Sequence, residues 1–325
     1  MKLVLGVDAG GTASRAVVAT TEGAVLGRGS AGPGNPAASG AAAARAIGTA
    51  VRAALRGHDP DAVIAGAVGV AGVSALDDPR VSETFADQWR SSGLSCPVSV
   101  VGDAVTAFAA GTAAPSGAVL IAGTGAVAAR LEHRRITGTA DGLGWLLGDE
   151  GSGLWLGLQA VRAAARDWAG STPAGLAAVV AAHAGVNSRD ALVHWAGRQP
   201  PPAFARLAPL VCAAARAGDT LAGRLTAEAG IRLVTTLGEL GPLDGPVVLA
   251  GGLLTGDTPV REAVLAALPG PVATAYDPAL GAAWLALCNV SGVDGRLAAR
   301  LHDSMLPGFS GSGASRQVWT ISAES

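Results

Sequence analysis

The chain has 325 residues, including 71 Ala and 47 Gly, with 15% charged residues and a formal net charge of −2. Of its 23 basic residues only Lys2 is a lysine, which leaves 22 arginines. A Walker A loop and a protein kinase each need a lysine on nucleotide phosphates, Schiff-base and pyridoxal-phosphate enzymes need a buried one, and a nucleic-acid binder needs a basic footprint, so all of these are excluded.

In chain order, residues 3–7 form an apolar run suited to a buried strand. Strands over 13–19 and 24–29 follow across turns rich in Gly and Thr. Residues 36–55 hold helix formers with apolar positions at helical spacing and predict one helix. A strand over 63–70, a short helix over 81–90, a strand over 98–101 and a helix beginning at 105–110 come next. The plan then restarts at Ala118 as strand, Gly-Thr-Gly turn, strand, hairpin tip and strand. Helices are predicted near 152–167, 172–184, 189–196, 203–217 and 219–238. A strand over 247–250, a helix near 259–267, a strand near 271–275 and a helix near 279–288 close the pattern. A βββαβαβα plan occurring twice predicts two α/β lobes with a cleft between them. The predicted N-terminal lobe is 1–114, the C-terminal lobe 115–306, and 307–325 a flexible tail.

Cys96, Cys212 and Cys288 are dispersed and odd in number, with no CxxC spacing. They predict reduced thiols and neither a disulfide framework nor a zinc site. Asp8 interrupts the first apolar run too early for a signal peptide. No long apolar stretch lacks charge or Gly breaks, so a soluble cytoplasmic protein is expected.

Five motifs carry possible chemistry, each beside a plainer reading. Asp8-Ala9-Gly10-Gly11-Thr12 is either an ordinary Asp/Gly hairpin or an anion cradle whose strand-end carboxylate suits Mg²⁺. Gly123-Thr124-Gly125 repeats that device in the second lobe, and two such hairpins facing each other can hold a triphosphate without lysine. Asp103, after Gly102, caps a helix or acts as a general base. In Gly148-Asp149-Glu150-Gly151-Ser152, Ser152 is a helix cap, while Asp149 and Glu150 favour a helix amino terminus or grip vicinal sugar hydroxyls. Gly251-Gly252 is a strand-to-helix turn or a surface for a flat base. The five histidines show no metal spacing, and His133-Arg134-Arg135 reads as a solvated hairpin tip. Trp155, Trp168, Trp195 and Trp284 read as core, and Trp145 as a wall of a sugar site.

The segments VDAGGTASRAVV, VGDAVTAF, LIAGTGAVAARL, GWLLGDEGSGLWLG and YDPALGAAWLAL together resemble the sugar kinase/heat-shock ATPase/actin superfamily. Within it they resemble the BadF/BadG-type ATPase family and its amino-sugar kinases, over about residues 1–290. The resemblance implies a two-lobed actin-like (ribonuclease H-like) fold. It implies ATP-dependent phosphorylation of the 6-hydroxyl of N-acetylglucosamine, with ATP and Mg²⁺ as cofactors and a homodimeric state. Asp103 would be the catalytic base. Asp8 would hold Mg²⁺ through water, and Gly10, Gly11, Thr12, Gly123, Thr124 and Gly125 would hold phosphates. Gly251 and Gly252 would face adenosine. Asn35, Asp103, Gly123, Trp145, Asp149 and Glu150 would meet the sugar. The family often has Gly-Gly-Trp-Gly where this chain has Gly142-Leu143-Gly144-Trp145, which leaves the sugar's 2-substituent open. Glucosamine kinase is the near alternative. A reductase-activating ATPase with an iron–sulfur cluster and a non-catalytic sugar sensor are the distant ones.

Overall fold

The computed structural model describes residues 1–168, 172–290, 292–306 and 318–319. The first sheet contains β1 (Leu3–Ala9), β2 (Ser14–Thr20), β3 (Val25–Ala31), β4 (Val63–Val70) and β5 (Val98–Gly102), in the order β3-β2-β1-β4-β5. The second contains β6 (Gly117–Ala122), β7 (Ala126–Glu132), β8 (Arg135–Asp141), β10 (Val247–Ala250) and β11 (Val272–Thr274), in the order β11-β10-β6-β7-β8. Read from the other edge, the second order matches the first, with two antiparallel hairpin strands on one side and parallel strands on the other. A small ribbon pairs β9 (Leu243–Asp244) with β12 (Val318–Trp319). The rest of the tail expected at 307–325 lies outside the described residues.

Period-two alternation divides each sheet between two cores. In β1, Leu3, Leu5, Val7 and Ala9 face an outer core with Ile47 and Val51 of the helix Ala41–Ala54. Val4 faces the opposite way, into a core shared by both sheets. In β6, Ala118, Leu120 and Ala122 face outward and Val119 faces that shared core. The helices Asp103–Gly111 and Pro278–Cys288 fill the shared core between the sheets, giving five layers in α/β/α/β/α order. Their Ala- and Gly-rich sequences permit close contact: a Cβ on Gly6 would strike the backbone of Ala279 and Ala283, and one on Gly281 would lie 2.5 Å from the Thr106 carbonyl oxygen.

The helix Pro278–Cys288, predicted as part of the second lobe, packs against β1 and β4 of the first sheet. Asp277, its cap, also ion-pairs with Arg28 on β3 at 2.6 Å. The helix predicted over 36–55 is broken at Gly40, whose φ of 52° and ψ of −134° are not helical. The stretch predicted as one helix over 203–217 is a 3₁₀ turn, Pro201–Leu207, followed by the helix Ala208–Arg216. The helix Gly295–Met305 was not anticipated. His133 is exposed at its hairpin tip, but Arg134 turns inward and stacks over fully buried Trp284 at 4.7 Å, so this tip is not simply solvated.

Candidate active site

Two hairpin tips meet at the cleft. After β1 the chain reverses through Gly10–Ala13, closed by the Gly10 N–H donating to the Ala13 carbonyl at 3.0 Å. After β6 it reverses more tightly, with the Gly123 N–H donating to Gly125 at 2.9 Å. The hydroxyls of Thr12 and Thr124 lie 2.7 Å apart and exposed, although 112 residues separate them. On Gly11 and Gly123 an added Cβ would meet nothing within 4 Å, so an anion can approach the backbone there. The helix Gly153–Asp167 starts on the second tip. Its Gly153 and Leu154 N–H groups donate to Gly123 and Thr124 at 2.8 and 3.1 Å, and Ser152 caps it by accepting from Trp155.

Asp8 follows Val4 and Gly6 on the face of β1 that looks toward the second sheet. Its side chain is 13% exposed, with the Arg15 guanidinium 4.0 Å away. Burial, more than any other cause, pushes its carboxyl up to about 7; nearby Asp103 and Asp277 add to this and Arg15 opposes it. Asp103 is not a cap but the first residue of the helix it opens, with Gly102 as cap. Its carboxyl is raised by burial and partly restored by the N–H groups of Ala104 and Asp103 itself. Neighbouring carboxyls held above their ordinary range, as buried Asp8 and half-buried Asp103 are, are a common signature of catalytic or metal chemistry. Mg²⁺ binds through one or two carboxylates while keeping several waters, and Asp8 beside the phosphate cradle fits that donor set. Among the described residues no group of three or more His, Cys, Asp or Glu forms a cage.

The acidic loop is organised by a residue that sequence reasoning missed. Asp141, ending β8, accepts from the Asp149 N–H at 2.7 Å and the Glu150 N–H at 2.8 Å. The signal was present, since Asp141-Gly142 is another strand-end Asp beside a glycine. Asp149 has φ of 58°, and its Oδ1 accepts from the Ala126 N–H at 2.9 Å, tying the loop to the second hairpin. Burial raises its carboxyl, the Ala126 N–H lowers it, and Asp141 raises it again. Glu150 is directed elsewhere, into an ion pair with Arg232 at 2.5 Å; Arg232 also stacks over Trp155.

Trp145 is 50% exposed and lines a groove with Leu154, Trp155 and Arg162. The Asn35 Oδ1 accepts from Ala37 at 2.9 Å and Ala38 at 3.3 Å, capping a short helix. Gly251, at φ of 82°, lies so close to the Ala122 backbone that no Cβ fits, whereas Gly252 faces open space. The fold therefore gathers Asp8, Thr12, Asp103 and Thr124, with Gly251 packed behind the second hairpin. Cys96, Cys212 and Cys288 belong to three different cores and do not form one cluster. Among the described residues no helix is long and apolar enough to cross a membrane.

A model of the BadF/BadG/BcrA/BcrD ATPase family matches residues 5–286. The chain belongs to this family. Among family-like proteins, it is 27% identical to N-acetyl-D-glucosamine kinase of Dictyostelium discoideum, over 88% of this chain and 98% of that one. It is 29% identical to N-acetylmuramic acid/N-acetylglucosamine kinase of Clostridium acetobutylicum, a match spanning 52% of this chain and 55% of that relative. A structure assigned to an N-acetylglucosamine kinase of Chromobacterium violaceum superposes with a TM-score of 0.71 at 27% identity, covering 88% and 99% of the two chains. A ROK-family glucokinase of Streptomyces griseus, solved with glucose and AMPPNP, shares the fold at a TM-score of 0.57 and 23% identity, covering 87% and 99%.

Proposed function

We propose that this member of the BadF/BadG/BcrA/BcrD family is an ATP-dependent sugar kinase acting on an amino sugar, with the 6-hydroxyl of N-acetylglucosamine as acceptor. The observation that carries this is the 2.7 Å contact between Thr12 and Thr124, which closes two glycine-lined anion cradles beside buried Asp8 and half-buried Asp103. The relatives named as N-acetylglucosamine kinases support the choice of sugar.

In this reading Asp103 takes the proton of the sugar hydroxyl. Burial raises its carboxyl above the ordinary range, and a base with a pKa nearer the working pH accepts a proton more readily. The sugar oxygen bonds to the terminal phosphorus, the bond from that phosphorus to the bridging oxygen breaks, and ADP leaves. Backbone N–H groups of Gly10, Gly11, Gly123 and Gly125, with the two Thr hydroxyls, stabilise charge on the phosphate oxygens. Asp8 would hold Mg²⁺, which would supply further charge neutralisation when bound. Asp149 presents a carboxylate already fixed through Oδ1, with Asn35 and Trp145 on the sugar side, and Gly252 leaves room for adenosine. Asp149 ties the acidic loop to the second hairpin, which sets the loop's position relative to the phosphate donors. The same reading places the enzyme in the cytoplasm as a homodimer.

The test is ADP release measured with N-acetylglucosamine, glucosamine, N-acetylmannosamine, N-acetylmuramic acid and glucose in turn. N-acetylglucosamine should give the highest kcat/KM. A panel in which no sugar stimulates ATP use would sink the kinase reading, and a preference for glucosamine would replace the acceptor.

A further inference from the structure

We propose that Ile136, on the edge strand β8 of the second lobe, is a positioning residue for the base: it seats on Gly102 and fixes where Asp103 stands relative to the phosphate donors. This rests on the kinase reading and deepens it.

The contact follows from register. Ile136 stands opposite Leu131 in the β7–β8 pair, and Leu131 is buried in the shared core, so Ile136 rises from the face that looks toward the first sheet. A Cβ placed on Gly102 would lie 3.1 Å from the Cδ1 of Ile136 and 3.8 Å from the Cγ1 of Val73. Gly102 has φ of −64° and ψ of 146°, which any residue adopts, so the glycine answers to space and not to backbone conformation. Asp103 is the next residue, and β8 also packs against the helix that it opens. The first lobe holds the same turn through Thr106, whose buried hydroxyl donates to the Asp103 carbonyl at 2.9 Å. Ile136 is still 39% exposed, so its contribution to the core is small.

The duplication shows what the contact accomplishes. In the two sheet orders β3 matches β8 and β5 matches β11. Each half therefore places an acid at the start of the helix after its last parallel strand, Asp103 after β5 and Asp277 after β11. The matching hairpin strands treat these acids differently. From β3, Arg28 ion-pairs with Asp277 at 2.6 Å and occupies its carboxylate. From β8, Ile136 brings hydrocarbon to the backbone just before Asp103, which has no ion pair among the described residues. An acid that must accept a proton needs a fixed place and a free carboxylate. A contact to the neighbouring backbone allows both, whereas an ion pair allows only the first.

The test reads sugar-stimulated ADP release and melting temperature for Ile136→Ala, Ile136→Val, Gly102→Ala and the pair Gly102→Ala/Ile136→Val. Ile136→Ala should lower kcat about tenfold or more while changing KM for ATP less than about twofold, because a small misplacement of a reacting group is costly. Ile136→Val should lose less. The Tm of Ile136→Ala should stay within about 2 °C of wild type, since the side chain lies largely outside the core. Gly102→Ala should also lower kcat, by pressing on the Cδ1 of Ile136. Valine lacks that atom, so the pair should regain turnover that Gly102→Ala loses. In an Asp103→Asn background, Ile136→Ala should change the residual turnover less than about twofold. Undiminished kcat in Ile136→Ala, the full loss repeated in the Asp103→Asn background, or no recovery in the pair would overturn the assignment. A wild-type protein whose ADP release no sugar stimulates would overturn the kinase reading and the assignment with it.

Discussion

Asp8 is held in the free protein at a cost to its stability, and Asp8→Asn should reveal that cost. An ordinary aspartate carboxyl ionises near 3.8, whereas burial and two neighbouring carboxylates raise Asp8 to about 7. At 1.36 kcal/mol per tenfold change, that difference corresponds to about 4 kcal/mol as an upper bound. The raised value means that the folded state holds the proton more tightly than the unfolded state does. Stability from the protonated group is therefore fully present below about pH 4 and is lost as pH rises toward 7. Asn has nearly the same shape and no charge at any pH. Ligand-free Asp8→Asn should match wild type near pH 4 and exceed it progressively up to pH 8. For a chain of this length, 1 kcal/mol corresponds to roughly 1.5 °C in Tm, so the gap at pH 8 should reach roughly 6 °C at most. Scanning fluorimetry at pH 4.5, 6 and 8 reads it directly. Stabilisation by Mg²⁺ with ATP should move the opposite way, large in wild type and small in the variant. A Tm difference that stays constant across pH would refute the buried, uncompensated carboxylate as its source.

Three other outcomes follow from the same geometry. The acid limb of kcat/KM should lie above the ordinary carboxylate range, because Asp103 must be ionised to act and its carboxyl is raised; Asp103→Asn should lose turnover by orders of magnitude while still binding ATP, and retained turnover removes Asp103 as base. Thr12→Val and Thr124→Val should each raise KM for ATP about tenfold, with a double-mutant cycle showing coupling of about 0.5–1.5 kcal/mol across the cleft; strict additivity would mean that the contact has no energetic role. Gly281→Ala should destabilise the protein by about 1–3 kcal/mol in urea unfolding, because its Cβ would lie 2.5 Å from the Thr106 carbonyl and 2.7 Å from the Ala110 nitrogen; an unchanged midpoint would show that the two helices separate freely.

What was legible in the sequence was local. Apolar runs broken by Gly and Thr mark strands and turns because those residues set the backbone conformation where they stand, and the repeated plan agrees with two sheets of five strands each. What was not legible depends on partners distant in sequence. The helix Pro278–Cys288 is apolar nearly all round, which says that it is buried but not which sheet buries it. Its place under β1 depends on Gly6, and its approach to the helix Asp103–Gly111 on Gly281, each unremarkable alone. Glu150 reads as a sugar ligand until Arg232, 82 residues on, takes its carboxylate. The helix Gly295–Met305 carried a readable signal, with Asp294 as cap and Ala298, Leu301, His302 and Met305 at helical spacing. Asp141 could also have been found, by asking which strand ends carry an acid.

The duplication explains why so much of the site could be read, and its asymmetry explains the chemistry. Both halves kept a hairpin whose tip offers N–H groups and one threonine, because an anion cradle depends on backbone shape. They differ one step below the tip, where the first half pairs Asp8 with Arg15 and the second pairs Ile121 with Val127. A phosphate between the tips thus meets neutral donors from both sides but charge from only one. Asp103, the base of the proposed reaction, is also in that first half, just after β5. In the proposed reaction charge and proton transfer fall to the first lobe, whereas the second contributes neutral phosphate donors and the loop stapled by Asp141 and Asp149. The 2.7 Å contact between Thr12 and Thr124 joins the two hairpins across that asymmetry.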